Sequence, residues 1–423
     1  VVSLGCRLNL AEGEAIRRLA GDAGLGEAIV VNSCAVTNEA VRQTRQEIRR
    51  ARRRNPSARI IVTGCAAQID AAAFAALSEV DAVLGNSEKL APEAWRRIAA
   101  APDRVIAVDD IMAVRETAPH LVDGYGDRAR AFLQVQNGCN HRCTFCIIPF
   151  GRGPARSIKV ADAVAAVRRL VAAGHPEIVL TGVDLTSWGQ DLSGAPRLGR
   201  LVSAILDQAP ELFRLRLSSL DCGEIDEELF ARATEDRRVA PHFHLSLQSG
   251  SNLILKRMKR RHRREQAIAL AEALRARRPE IALGADFIAG FPTETEEMFA
   301  ETLSLISEAG INYGHIFPYS IREGAPASRM PQCDGRIIAA RARRLRQASQ
   351  AATRTFLDGC VGSVEDAVVE SGGRARLGNF AAVRAPAGAR AGDVMRIRIV
   401  GRDGDVLIAD PCPGDNKTAP SLP

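Results

Sequence analysis

Cys139-Asn140-His141-Arg142-Cys143-Thr144-Phe145-Cys146 is the stretch from which the rest of the chain can be read. Three thiols fall within eight residues, after the apolar run Ala131 to Val135 and before a Pro/Gly-rich turn, so they can converge on one object. A tetrahedral structural zinc site takes four ligands, and this stretch supplies three. An iron–sulfur cubane is a better match: three cysteines hold three irons and the fourth iron stays open for chemistry. The competing reading is a zinc knuckle completed by a distant ligand such as His141 or Cys222.

Downstream of this loop, apolar runs alternate with helical periodicity. Strands are expected at Ala131 to Gln136, Glu177 to Thr181, Phe213 to Ser218, His242 to Gln248, Ile281 to Ala289 and Asn312 to Tyr319. Helices are expected at about Val160 to Ala173, Leu198 to Gln208, Asp226 to Thr234, Arg264 to Arg277 and Glu296 to Ala309. Six such units make a partial, open barrel of parallel strands, in which reacting groups gather at the carboxyl ends. The cysteine loop follows the first strand, Gly182 and Asp184 the second, Ser218 the third, and Gln248 and Ser249 the fourth. Asp286 lies on the fifth and Tyr319 ends the sixth. Backbone donors, acidic acceptors and hydroxyls at one mouth suit a zwitterionic, adenosine-bearing cofactor.

Upstream, three strand-like runs each end at a cysteine: Val1 to Cys6, Ala28 to Cys34 and Arg59 to Cys65. Cys34 follows Cys6 by 28 residues and Cys65 follows Cys34 by 31, the length of a strand, a crossover helix and loops. The strands therefore lie parallel in an open α/β sheet, with their carboxyl ends on one edge. Asp81 to Asn86 reads as a fourth strand. A single buried cysteine is ordinarily a small hydrophobe. Three at matched strand ends point to a second cluster site. The helix Glu39 to Arg54 carries seven arginines beyond its first turn against a lone Glu47, which favours a phosphate-facing surface. Residues 87–130 read as a connector, with a domain seam at the Asp123 to Asp127 turn.

The carboxyl-terminal part opens with a basic helix, about Arg336 to Leu357. Short strands follow at Gly362 to Glu370, Arg376 to Arg384, Asp393 to Val400 and Asp405 to Ile408, a pattern for a small β-barrel of the nucleic-acid-binding kind. From Cys360 to Asp410 seven arginines balance seven acidic residues, so this module carries no net basic signature. Pro411 to Pro423 reads as a frayed tail. A basic run from Lys256 to Arg264 follows the fourth barrel strand and is expected to contact nucleic-acid phosphate.

Taken whole, 423 residues with 46% hydrophobic and 25% charged composition predict two or three globular domains. The formal net charge of +7 permits a polyanionic partner. No apolar window is long enough to span a membrane without a charge, so no membrane partner is expected. Ten cysteines are too sparse for a disulfide scaffold, and thiols kept reduced for metal imply a cytoplasmic protein. Cys222, Cys333, Cys360 and Cys412 share no cluster spacing and take no ligand role.

The loop at Cys139, with the aromatic Phe145 just before its third cysteine, resembles the cluster motif of the radical S-adenosylmethionine enzymes. Together with the upstream trio and the terminal strands, it resembles the methylthiotransferase family over nearly the whole chain. That resemblance implies an amino-terminal domain (1–125) with an auxiliary [4Fe-4S] cluster on Cys6, Cys34 and Cys65. It implies next a radical SAM partial (βα)6 barrel (126–357) with a second [4Fe-4S] cluster on Cys139, Cys143 and Cys146, whose open iron takes S-adenosyl-L-methionine. A TRAM-like RNA-binding β-barrel and tail (358–423) then close the chain. Asn32 to Thr37 leading into Arg42 to Gln46, and Met258 to His262, look most like the MtaB branch, which methylthiolates threonylcarbamoyladenosine beside the anticodon. The sister branches MiaB, acting on isopentenyladenosine, and RimO, acting on a ribosomal-protein aspartate, are the alternatives, and a metal-stapled RNA-binding protein without catalysis is the alternative of another class. The implied partners are a tRNA anticodon stem-loop, a reductant such as a flavodoxin or ferredoxin, and an unidentified sulfur donor.

Overall fold

The structure is a computed structural model that describes residues 1–115, 125 and 128–412. The expected seam at Asp123 to Asp127, apart from Tyr125, and the tail beyond Cys412 lie outside the described residues. None of the described helices is long and apolar enough to cross a membrane.

The amino-terminal part is a parallel sheet of five strands in the order β1 (Val2–Ser3), β2 (Ile29–Ser33), β3 (Ile60–Gly64), β4 (Ala82–Leu84) and β5 (Val105–Ala107). Val30, Val31, Ile60, Ile61, Val62 and Val83 are buried because both faces of the sheet are covered. One face carries α1 (Arg7–Asp22), through Ile16 and Ala20. The other carries α2 (Asn38–Arg54), through Ile48 and Ala51, and then α3 (Cys65–Ile69) and α4 (Ala71–Ala75), through Phe74. The first expected strand shrinks to two residues, because Gly5 turns the chain and Arg7 already begins α1. Residues 87–130 are more than a connector: they supply α5 (Pro92–Ala100), with Trp95 and Ile98 buried against the sheet, and the edge strand β5. Proline at the first helical turn was the local signal for α5. A three-residue strand gives almost no periodicity to read.

The central part holds β6 (Arg130–Gln134), β7 (Gln136–Asn137), α6 (Ile148–Arg152), β8 (Arg156–Ser157), α7 (Val160–Ala172), β9 (Glu177–Thr181), α8 (Leu198–Gln208), β10 (Arg214–Leu217), α9 (Glu227–Glu235), β11 (His242–Gln248), α10 (Asn252–Arg257), α11 (Arg264–Arg277), β12 (Ala282–Ala289), α12 (Glu296–Glu308) and β13 (Tyr313–Pro318). Two parallel three-stranded sheets, β10-β9-β6 and β11-β12-β13, are linked by the bridges Leu215↔Val239 and Leu220↔Leu245. The result is a six-stranded partial barrel, open between β6 and β13. Alternate residues of β11 and β12, among them Phe243, Leu245, Leu283, Ala285 and Phe287, pack outward into the core shared with the helices. His242, His244, Ser246 and Asp286 therefore point inward.

The long helix α13 (Gly335–Gly359) leads to a closed barrel of β14 (Val364–Glu370), β15 (Arg374–Leu377), β16 (Ala382–Arg384), β17 (Val394–Asp403) and β18 (Val406–Pro411). The single strand expected over Arg376 to Arg384 is two, split by a turn in which Phe380 takes φ +75°. That turn docks onto the start of the central barrel. Arg216 donates to the carbonyls of Gly378 (3.0 Å) and Leu377 (3.2 Å), Arg214 donates to that of Asp366 (2.8 Å), and both arginines pair with the buried Glu177.

Candidate active site

The loop carrying Cys139, Cys143 and Cys146 is closed at its base by the short antiparallel pair β7 and β8 and by the Cys139 amide donating to the Gly153 carbonyl at 3.1 Å. Its far side is pinned by the segment after α10: Thr144 donates through its amide to the Met258 carbonyl (3.1 Å) and through its hydroxyl to that of Arg257 (2.8 Å). The basic run from Lys256 to Arg264, expected to contact phosphate, divides between internal partners and solvent. Arg257 binds Thr293, Arg261 pairs with Glu224, Arg264 binds the Gly250 carbonyl and Ser304, and Arg260 reaches inward to Asp221 (2.8 Å), the Ser246 carbonyl (2.7 Å) and the Cys143 thiol (3.7 Å). Lys256, Lys259 and Arg263 alone stay exposed without an ion pair among the described residues.

The three thiols sit in different fields. Burial pushes Cys146 up to about 12, and burial with the carboxylate of Asp184 at 3.7 Å raises Cys139 further. At Cys143 the cationic neighbours His141 and Arg260 outweigh burial and bring the thiol below its ordinary value. His141 Nε2 stands 3.3 Å from Asp184 and 3.5 Å from Glu224. The Cys143 thiol and these two acids raise His141 to about 10. Of the two candidate fourth ligands for a zinc knuckle, only His141 reaches the trio; Cys222 groups with Asp221 and His262.

The upstream trio lies at the carboxyl edge of its sheet. The register Ser33↔Gly64 brings the ends of β2 and β3 level, so Cys34 and Cys65 emerge side by side. Gly64 turns the chain there at φ +93°, and a Cβ would meet the Ser33 carbonyl oxygen at 2.3 Å, so only glycine fits before Cys65. Cys34 and Cys65 are buried and Cys6 is exposed. Burial raises Cys34 to about 11, and Cys6 and Cys65 add to the rise. Beneath Cys65 lies a buried polar network that sequence reasoning missed. Arg152, in α6, donates to the Cys65 sulfur at 3.1 Å and to Asn9 at 2.6 Å, and it is ion-paired with Glu12. Lys89 also binds Glu12 (2.7 Å) and Asn86 (2.6 Å). Residues 12, 89 and 152 are far apart in the chain. The readable hint was Glu12 on the apolar face of α1, between Leu8, Ala11 and Ile16.

The two trios are neighbours. Helix α6, immediately after Cys146, packs on α3, which begins at Cys65, and a side chain on Gly151 would meet the Cβ of Cys65 at 3.1 Å. Cys65 is close enough to Cys146 to help raise its thiol.

The remaining expected residues divide into groups. Gly182 and Asp184 lie against the Cys139 loop, where the Gln136 side chain accepts from the Asp184 amide (2.9 Å) and Ser187 donates to its carboxylate (2.7 Å). Ser218 has a buried, unpartnered hydroxyl at the end of β10. Phe145 and Tyr319 share an apolar cluster with Ile288 and Phe291, and the Tyr319 hydroxyl has no partner there. Gln248 ends β11 at φ +70°, a strained setting for a non-glycine residue. Ser249 faces away from this space and bonds Thr302 (3.1 Å) and the Ser251 amide (3.1 Å). Asp286 lies deeper, between His244 (2.9 Å) and His315 (3.4 Å).

This donor set fits iron–sulfur clusters. All ten cysteines are free thiols, six of them gathered in two trios, and desolvation opposes ionising most of these without a nearby positive centre. A metal cluster provides that centre and takes up thiolates.

Comparison with known proteins agrees. Residues 133–306 match the Radical SAM superfamily, and residues 1–85 match "Uncharacterized protein family UPF0004". The chain is 47% identical to the threonylcarbamoyladenosine tRNA methylthiotransferase MtaB of Rickettsia prowazekii over 95% of its length and 94% of the relative's. It is 35% identical to MtaB of Aquifex aeolicus, covering 94% and 98%. It is also 32% identical to the tRNA-2-methylthio-N(6)-dimethylallyladenosine synthase of Erythrobacter litoralis, covering 88% and 86%. Among solved structures, the radical S-adenosylmethionine methyltransferase TsrM of Kitasatospora setae shares the fold, with TM-score 0.51, 18% identity, and coverage of 76% of this chain and 68% of that one.

Proposed function

The chain belongs to the MtaB family of radical SAM tRNA methylthiotransferases, and from that premise we infer that it converts threonylcarbamoyladenosine at position 37 of tRNA to its 2-methylthio derivative. The observation that carries this assignment is the packing of Gly151, in the helix just after Cys146, against Cys65, which brings the two thiol trios beside one another. Cys139, Cys143 and Cys146 would hold one [4Fe-4S] cluster, and Cys6, Cys34 and Cys65 the other. Bound there, the clusters with S-adenosyl-L-methionine supply a 5′-deoxyadenosyl radical and a methylated sulfur, chemistry required by an adenine C2–H that is neither acidic nor electrophilic.

The protein's own groups bind and orient. Asp184, held by Gln136 and Ser187 beside Cys139, is an acceptor for the cofactor's amino group. Gly182, Ser218, Gln248 and Tyr319, at the carboxyl ends of their strands, would border the same cofactor, with the unpartnered Ser218 and Tyr319 hydroxyls to bond its ribose. Phe145 packs against the apolar wall beneath. Arg152 donates to the Cys65 sulfur while Glu12, itself held by Lys89, fixes the guanidinium. The adenine beside an anticodon is single-stranded and enters at low cost. A small reducing protein such as a flavodoxin or ferredoxin would deliver electrons.

The test is anaerobic reconstitution with iron and sulfide, followed by turnover of tRNA bearing threonylcarbamoyladenosine and nucleoside mass spectrometry. The methylthio product is expected from the intact chain and from neither Cys65→Ala nor Cys146→Ala. Zinc without acid-labile sulfide in anaerobically purified protein would return the chain to a metal-stapled binding module.

A further inference from the structure

A cavity of about 190 Å³ lies at the open seam of the central barrel, lined by Arg7, His242, His244, Tyr313, His315 and Ser349 with the ring of Phe380. Arg7 enters from α1, which packs on β6, whereas Tyr313 and His315 belong to β13, so the cavity spans the gap between the barrel's first and last strands.

Its wall combines Arg7 and three histidines with Tyr313 and the uncharged side chains Ser349, Gln350 and Thr353, and contains no carboxylate. Among the described residues the Arg7 guanidinium has no ion pair or hydrogen bond, and its one close partner is the face of Phe380 at 5.3 Å. The neighbouring arginines are already matched: Arg216 to Glu177, Arg130 to Glu370. His242 is 1% exposed, with both ring nitrogens unpartnered, and stacks on Phe380 at 4.7 Å; the buried Tyr313 hydroxyl also lacks a partner. Asp286 stands behind the wall and orients His244 and His315 from the inner side. The His244 ring lies over Gly284, where a Cβ would meet Nδ1 at 2.5 Å, so that position has to stay bare. A half-buried guanidinium without a counterion, beside a buried imidazole and a buried hydroxyl without partners, calls for an anion.

The depth of the cavity narrows the choice of anion. His244 and His242 precede Ser246 by two and four residues, about 7 and 14 Å along the strand. The Ser246 carbonyl is held by Arg260, which also touches the Cys143 thiol. The cavity thus lies in the barrel below the cysteine loop, within reach of a long substituent on a base held at that loop. We propose that it receives the free carboxylate of the substrate's N6-threonylcarbamoyl group, with Arg7 as counterion and His242, Tyr313 and His315 as further donors. This rests on the function inferred above. Threonine is joined to the base through its nitrogen, so its carboxylate and hydroxyl remain free to be read. An apolar dimethylallyl substituent in the same place would leave Arg7 and His242 unmatched, and a site built to bond polar groups rejects the analogue that lacks them.

The test uses the reconstituted full chain and three anticodon stem-loop RNAs that differ at one adenosine: threonylcarbamoyl, its threoninol analogue with the carboxylate replaced by a hydroxymethyl group, and unmodified. The wild type is expected to bind the first at least tenfold tighter than the second. Arg7→Gln and His315→Ala are expected to reduce that ratio to within twofold while leaving affinity for the unmodified RNA in place. Iron content and the cluster absorption of each variant guard against damage at the adjacent Cys6. A ratio that survives both substitutions, or a wild type blind to the carboxylate, overturns the proposal. An equal loss on all three RNAs also overturns it, and assigns the cavity to a backbone phosphate. Turnover of the threonylcarbamoyl RNA by the wild type is scored separately: its absence refutes the functional assignment, whereas turnover with an unchanged ratio refutes the cavity alone.

Discussion

Arg152 is the residue on which the two halves of the site depend. It is fully buried, yet it touches Cys65 from one unit, Glu12 and Asn9 from helix α1, and its own helix follows Cys146. Breaking a buried ion pair on one side costs about 3–5 kcal/mol where the other charge is left alone, and Lys89, still paired with Glu12, places the loss here at the lower end. Arg152→Gln is therefore expected to destabilise the chain on that scale and to cut bound iron and sulfide by about half, since only the auxiliary trio loses its neighbour. Chemical denaturation and metal analysis check this; full iron content with unchanged stability would contradict it. The cysteines were legible because six of them sit at repeated offsets, each tied to a strand end or to the others. Arg152, Glu12 and Lys89 were not, since each reads alone as an ordinary surface charge and the network exists only after folding. His315 was hidden in the same way: as a lone histidine on a strand it announces nothing until Asp286, one strand away, faces it.

At the level of elements, apolar runs long enough to show a period were read correctly, and those shaped by contact were not. The six barrel strands and the helices between them lie within about two residues of their expected positions, because each buries a continuous apolar face. The strand β5 and the split between β15 and β16 escaped, being three-residue strands or a turn held by a partner. That turn is held by Arg216 and the neighbouring strand β14 by Arg214, two β10 arginines anchored by Glu177 on β9. The two arginines outweigh burial and hold Glu177 at about 2, below its ordinary value of 4.5. A carboxylate depressed on folding contributes stability that is complete above pH 4.5 and lost as pH falls towards 2, here on the order of 3 kcal/mol. Thermal melting between pH 6 and pH 3 should fall more steeply in the wild type than in Glu177→Gln. Parallel profiles would show that the lock is not electrostatic.

Over the whole molecule, the net charge of +7 is unevenly spent. Of the basic run from Lys256 to Arg264, Arg257, Arg260, Arg261 and Arg264 are bound internally, and several arginines of α2 are paired: Arg42 with Glu39, Arg50 with Glu47, Arg52 with Asp81. Arg53 and Arg54 remain exposed and without an ion pair among the described residues. If α2 meets RNA phosphate, Arg53→Gln with Arg54→Gln should weaken tRNA binding equally for modified and unmodified RNA and lower the slope of log affinity against log salt by about 2. An unchanged slope would move the contact elsewhere. The functional assignment itself is tested most directly by mass spectrometry of nucleosides in total tRNA from cells lacking this gene. Methylthio-threonylcarbamoyladenosine should vanish while threonylcarbamoyladenosine accumulates, and the intact gene should restore it where Cys65→Ala and Cys146→Ala copies do not. Persistence of that nucleoside, or loss of the methylthio mark from isopentenyladenosine instead, would contradict the assignment.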